Sequence, residues 1–114
     1  PSHCALMKPA AEKLRAAMDE IAFAAPSIPV LHNVNVAEST DANAIRQALT
    51  EQLFSPVRWV ETVEAIAARG VRMVVEAGPG KVLNGLIKRI DKSLSAVPVF
   101  DPASLEKAME VINA

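Results

Sequence analysis

The run Val71-Arg72-Met73-Val74-Val75-Glu76 is nearly continuous in apolar character. It leads through Gly78-Pro79-Gly80 into a segment whose Val82, Leu83, Leu86, Ile87 and Ile90 share one helical stripe. A short unbroken apolar run is the pattern of a strand covered on both faces, and apolar residues three and four apart mark an amphipathic helix. A second short strand, Ala96 to Phe100, follows that helix. A helix between two strands is the connection that parallel pairing needs, so this stretch constrains the fold more than any other.

The other elements extend the alternation. Ala10, Leu14, Ala17, Met18 and Ile21 predict a helix from about Lys8 to Ala22, with Pro9 in the first turn, where its missing amide hydrogen has no partner to lose. Ala25-Pro26-Ser27-Ile28-Pro29 breaks the chain, and Val30 to Val36 alternates as a strand. Glu38-Ser39-Thr40-Asp41 carries helix-start chemistry, after which Ile45, Ala48, Leu49, Gln52 and Leu53 fall on one face. Ser55-Pro56 ends this helix and starts another through Val57, Val60, Val63 and Ala67, which stops at Gly70. Asp101-Pro102 reads as the N-cap and first position of a closing helix through Leu105, Ala108, Met109 and Ile112. The order helix, strand, helix, helix, strand, helix, strand, helix is that of an α/β layer fold with a mainly parallel sheet flanked by helices.

Composition narrows the function classes. A net charge of −1 over 114 residues offers no electrostatic case for nucleic acid or an anionic membrane. The single cysteine, Cys4, cannot form an internal disulfide and has no CxxC companion, so a reducing compartment, the cytoplasm, is expected. No apolar run approaches the ~20 residues that span a bilayer. The first residues also lack the basic and apolar regions of a signal peptide.

Chemistry gathers at the start of the chain, in Pro1-Ser2-His3-Cys4-Ala5-Leu6-Met7. His3 lies just before a helix, where a neutral imidazole can act as a base near neutral pH; its bland reading is a surface or satisfied core histidine. Cys4 is a nucleophile if a histidine such as His32 reaches it after folding, and otherwise a buried, inert thiol. His3, Cys4 and His32 lack the paired spacing of a zinc site, and no metal is expected. Gly78-Pro79-Gly80-Lys81 lies between strand and helix as a phosphate loop does, but lacks GxxxxGK[ST] spacing, so a tight turn for close packing is expected. Lys81, Lys88, Arg89 and Lys92 read as a solvated face. Gln52 shares a face with Ile45, Leu49 and Leu53, so it either sits at the surface edge or presents a side chain or a free helix-end carbonyl to a site.

In order and spacing, Pro1 to Ala10, Pro29-Val30 to Asn33-Val34, Gln52-Leu53, Pro56-Val57 with Trp59, and Glu76-Ala77-Gly78-Pro79-Gly80-Lys81-Val82-Leu83 resemble the C-terminal part of the bacterial malonyl-CoA:acyl carrier protein transacylases of fatty-acid synthesis. The resemblance covers essentially the whole chain and implies an α/β-hydrolase-like acyltransferase core. In that family a serine in a Gly-His-Ser-Leu-Gly elbow attacks the malonyl thioester, and the acyl group passes to the phosphopantetheine thiol of the carrier protein. The resemblance makes His3 the general base and acid, with the backbone carbonyl matching Gln52 as its orienter. It implies malonyl-CoA and acyl carrier protein as partners, with no cofactor.

No Gly-x-Ser-x-Gly occurs here, and none of Ser2, Ser27, Ser39, Ser55, Ser93, Ser95 and Ser104 has that setting. The expectation is that residues 1–114 form the C-terminal segment of the acyltransferase domain. The nucleophilic serine, the arginine that pairs with the malonyl carboxylate, the oxyanion-hole glutamine and most of the ferredoxin-like small subdomain are then expected in an upstream part of the same enzyme, and this chain alone is expected to be inactive. The alternative is a non-catalytic interaction module that retains the α/β remnant; a third reading is a Cys4 thiol enzyme.

Overall fold

The computed structural model describes residues 2–114; Pro1, the first residue of the Pro-Ser-His-Cys string, lies outside them. The chain forms two compact units, one running to Thr62 and the other from Val63 to Ala114.

In the first unit a 3-10 turn, Ala5–Met7, leads into α1 (Lys8–Asp19), which packs against α2 (Ala42–Glu51). Ala11 and Met18 of α1 and Ile45 and Ala48 of α2 are buried. The small alanines let the two helices approach closely while Met18 fills the space beside them. α1 ends at Asp19, three residues short of the expected Ala22, for a local reason. Glu20 and Ile21 donate to Ala17 and Met18 through tight bonds of 3.2 and 3.1 Å, and Arg46 of α2 claims the terminal carbonyls. Its Nε donates to the Met18 carbonyl at 3.0 Å and its Nη2 to that of Ile21 at 2.6 Å, while the guanidinium lies 4.9 Å from the centre of the Phe23 ring.

The single strand expected over Val30–Val36 is instead a small hairpin. β1 (Leu31–His32) pairs antiparallel with β2 (Ala37–Glu38), with Leu31 opposite Glu38 and His32 opposite Ala37. Asn35 turns the chain because its side chain bonds nearby backbone: Asn35 Oδ1 accepts from the Ala37 amide at 3.2 Å. Val36 takes φ 55, a left-handed backbone that is costly for a β-branched residue. Asp41 caps α2, accepting from the Ala44 amide at 3.0 Å. α3 (Trp59–Ala68) starts three residues after Pro56 rather than at it. The Arg58 amide donates instead to the Asn33 carbonyl at 2.9 Å. The Arg58 side chain meets the Glu61 carboxylate through both Nε and Nη2, holding that carboxyl below the ordinary range and the guanidinium above its own.

The second unit is the expected strand, helix, strand, helix series. β3 (Met73–Ala77) and β4 (Ser95–Val99) pair in parallel from Met73 opposite Ser95 to Ala77 opposite Val99, joined by α4 (Val82–Ile90) and followed by α5 (Pro102–Ile112). Ile87 and Leu94, with Ala96 of β4 and Ala108 of α5, are buried. Burying a side chain like Ile87 contributes roughly 1.5–3 kcal/mol. Asp101 caps α5 in a reciprocal box: its carboxylate accepts from the Ser104 amide at 2.7 Å, and Ser104 Oγ accepts from the Asp101 amide at 3.0 Å.

Two expectations for this unit are corrected. β3 is not covered on both faces within the chain: Val75 is 40% exposed. The α4 stripe divides, with Ile87 2% exposed but Val82 74% and Leu83 and Leu86 partly open. Two strands about 4.8 Å apart make a sheet narrower than the ~10 Å helix lying on it, so part of the stripe overhangs. Among the described residues no helix is long and apolar enough to cross a membrane.

Candidate active site

The site is assembled where the start of the chain meets the end of α2. Gln52 is the C-cap of that helix, with its amide donating to the Ala48 carbonyl at 3.0 Å. Beyond it the chain tightens into 3-10 turns, Leu53 to the Thr50 carbonyl at 3.3 Å and Phe54 to that of Glu51 at 3.2 Å. The carbonyls of Gln52 and Leu53 both point to His3. The His3 amide donates to the Leu53 carbonyl at 3.0 Å, and His3 Nδ1 lies 2.8 Å from the Gln52 carbonyl oxygen. One residue therefore occupies two successive helix-end acceptors.

This convergence has a backbone cause. His3 adopts φ 59, in the left-handed region, which brings its main-chain N–H and its ring toward the same partner. Such a conformation costs a non-glycine residue of order 1–3 kcal/mol and persists only where its surroundings impose it. Histidine is among the residues that tolerate it more readily than most. Lys8 adds a further tie, its ammonium 5.7 Å from the centre of the Phe54 ring. That contact is worth about 0.5–1 kcal/mol at an exposed site.

The chemistry follows from which atoms meet. A carbonyl oxygen can only accept, so Nδ1 carries the hydrogen and Nε2 keeps its lone pair in the neutral ring. His3 is exposed, leaving Nε2 open to a proton from an incoming hydroxyl or thiol. Of the choices open for Gln52, it is the backbone carbonyl rather than the side-chain amide that meets the imidazole.

The other candidates disperse. Cys4 is half-buried at the head of the 3-10 turn, where its carbonyl accepts from the Met7 amide at 3.0 Å. His32 is buried at the hairpin, and its carbonyl accepts from the Val36 amide at 2.9 Å. Among the described residues no group of three or more His, Cys, Asp or Glu could hold a metal ion. Among the described residues no hydrogen bond of His3 goes to a serine.

The Gly78-Pro79-Gly80-Lys81 turn is not built for close packing, since a Cβ at either glycine would meet nothing within 4 Å. Its glycines serve the backbone, with φ +142 at Gly78 and +86 at Gly80. Nor is it a phosphate loop. Glu76 of β3 reaches across the turn and its carboxylate accepts from the Leu83 and Asn84 amides at 3.3 and 2.7 Å, filling the anion position at the start of α4. Lys88 and Arg89 lie exposed in the last turn of α4, where cations suit the helix dipole, and Lys81 and Lys92 are exposed as expected. Sequence reasoning missed the Glu76 cap and the left-handed His3. An acid seven residues before the first amide it binds belongs to no short capping pattern, and nothing in the string around His3 encodes its φ.

No family model matches the chain. Against curated proteins it is 55% identical to the malonyl CoA-acyl carrier protein transacylase of Salmonella typhimurium over 96% of this chain and 35% of that protein. It is 50% identical to the Escherichia coli K12 protein of the same name over 97% of this chain and 36% of that one. Among solved structures it resembles a malonyl-transacylase in complex with a type II PKS acyl-carrier protein, with a TM-score of 0.92 and 55% identity over 97% of this chain and 36% of that one. An acyl carrier protein S-malonyltransferase of Vibrio cholerae matches with a TM-score of 0.89 and 56% identity over 95% of this chain and 35% of that one. The chain spans about a third of the length of the relatives it matches, at their C-terminal end.

Proposed function

Because the chain corresponds in sequence and fold to the C-terminal third of the malonyl CoA-acyl carrier protein transacylases, we propose that it supplies the histidine half of an acyl-transfer site. The observation that carries this reading is the 2.8 Å contact between His3 Nδ1 and the Gln52 carbonyl oxygen, which fixes the tautomer a general base needs. The whole enzyme moves a malonyl group from coenzyme A to the phosphopantetheine thiol of acyl carrier protein. A serine outside these residues is its nucleophile.

The protons balance through His3. Nε2 takes the serine hydroxyl proton as the oxygen attacks the thioester carbonyl, and gives it to the coenzyme A sulfur as the C–S bond breaks. In the return half, the carrier thiol passes its proton to Nε2 while its sulfur attacks the serine ester. The imidazolium then reprotonates the serine oxygen as it leaves. The Gln52 carbonyl keeps a hydrogen bond from Nδ1 throughout, and that bond strengthens when the ring is charged.

The test joins this chain to the N-terminal part of the Salmonella typhimurium relative and measures malonyl transfer from malonyl-CoA to carrier protein. The joined enzyme is expected to be active and the 114-residue chain alone inactive. His3→Ala is expected to lower kcat at least about 100-fold, the contribution typical of a positioned acid-base group. A joined enzyme that keeps its rate with His3→Ala would refute the assignment. An inactive but folded joined enzyme would favour the interaction module.

A further inference from the structure

The carbonyl that His3 uses belongs to a residue four positions before a proline. In an α-helix the carbonyl of residue i accepts from the amide of residue i+4. For Gln52 that residue is Pro56, which has no N–H to give. The earlier carbonyls at this end are occupied: Ala48 by Gln52, Thr50 by Leu53, and Glu51 by Phe54. Ser55 is a bend in the chain, and a residue before a proline is kept out of the helical region, so the helix does not continue past it. Two successive carbonyls, those of Gln52 and Leu53, are thus left for the Nδ1 and amide of His3.

We propose that Pro56 is a positioning residue for His3, its missing N–H reserving the Gln52 carbonyl for the imidazole. The inference rests on the reading of His3 as the general base. Pro56 is exposed, so its ring is not a core element whose loss would collapse the unit. The imino acid removes an internal competitor that every other residue type at position 56 would supply.

The test uses the joined enzyme with 15N-labelled histidine in its C-terminal part and compares Pro56 with Pro56→Ala and with an ester-linked analogue, lactic acid at position 56. Alanine restores a backbone N–H; lactic acid has the same methyl side chain and none. Pro56→Ala is expected to lower kcat about tenfold, with KM within about twofold, as a partly displaced orienting bond would. In the same variant the 15N signals of the neutral His3 ring should shift away from the single Nδ1–H tautomer. The lactic acid form is expected to keep both the rate and the tautomer. Wild-type kcat and tautomer in Pro56→Ala would overturn the inference, and so would an equal loss in the lactic acid form, which would trace the effect to the ring. Failure of Pro56→Ala to fold would also overturn it, since an exposed residue that only frees a carbonyl is not needed for folding. His3→Ala in the same enzyme separates the two levels: a rate that survives it removes the base, whereas its loss beside a normal Pro56→Ala removes Pro56 alone.

Discussion

Replacing Glu76 should loosen α4 from its first turn. That helix has no capping side chain of its own at Lys81, and two of its leading amides are satisfied by one carboxylate reaching across the glycine turn, at 2.7 and 3.3 Å. The shorter bond has full charge-assisted geometry and the longer lies at the loose end of the range. Losing a capping acceptor costs about 0.5–2 kcal/mol, and removing a negative charge from a helix N-terminus adds about 0.3–1 kcal/mol. Glu76→Ala should therefore destabilise by about 1.5–2.5 kcal/mol, and Glu76→Gln, which keeps an acceptor but not the charge, by about 0.5–1 kcal/mol. Urea unfolding gives the totals, and repeating it at about 0.05 M and about 0.5 M salt separates the screened charge component from the rest. Amide exchange at Leu83 and Asn84 should quicken in both variants. A Glu76→Ala protein within about 0.5 kcal/mol of wild type, with unchanged exchange at those amides, would show that packing alone holds this helix end.

Two further outcomes follow from other contacts. The Ser104 hydroxyl and amide hold the Asp101 carboxyl below its ordinary value of 3.8, so the stability it lends is present above that value and lost as pH falls through the lower, folded-state pKa. Asp101→Asn, which can still cap, should therefore reduce the slope of stability against pH below about 4, measured by urea unfolding at stepped pH; an unchanged slope would contradict this. Arg46→Met should cost about 1.5–3 kcal/mol by freeing the Met18 and Ile21 carbonyls and removing the Phe23 contact, and Arg46→Lys should recover only part of it, both read from the urea midpoint.

The parts of the fold legible in the sequence are those governed by local periodicity. The parallel pair with its connecting helix follows from the Val71–Glu76 run and the Val82–Ile90 stripe, and the α5 cap follows from Asp101-Pro102. The hairpin was illegible because Val30 to Val36 carries both β-branched residues and turn-forming asparagines, and periodicity does not say which wins. Coverage of β3 and of the α4 stripe depends on how many strands and helices surround them, a tertiary quantity that the pattern within one segment does not contain. At the site, residue chemistry and helix patterning brought out His3 and Gln52 as candidates, resemblance gave them their expected roles, and helix-end chemistry made a free carbonyl reasonable. The 2.8 Å contact itself depends on a meeting of residues 49 positions apart and on one unusual φ.

That φ of 59 at His3 sets two kinds of selection against each other. Glycine would occupy the same backbone without strain, so variants of this chain sorted by heat resistance alone should accumulate His3→Gly. Sorting by acyl transfer in the joined enzyme should retain the histidine. On the proposed role of His3 as the base, relief of backbone strain and retention of turnover pull in opposite directions at position 3, and homologues engineered for one should be checked there for the loss of the other.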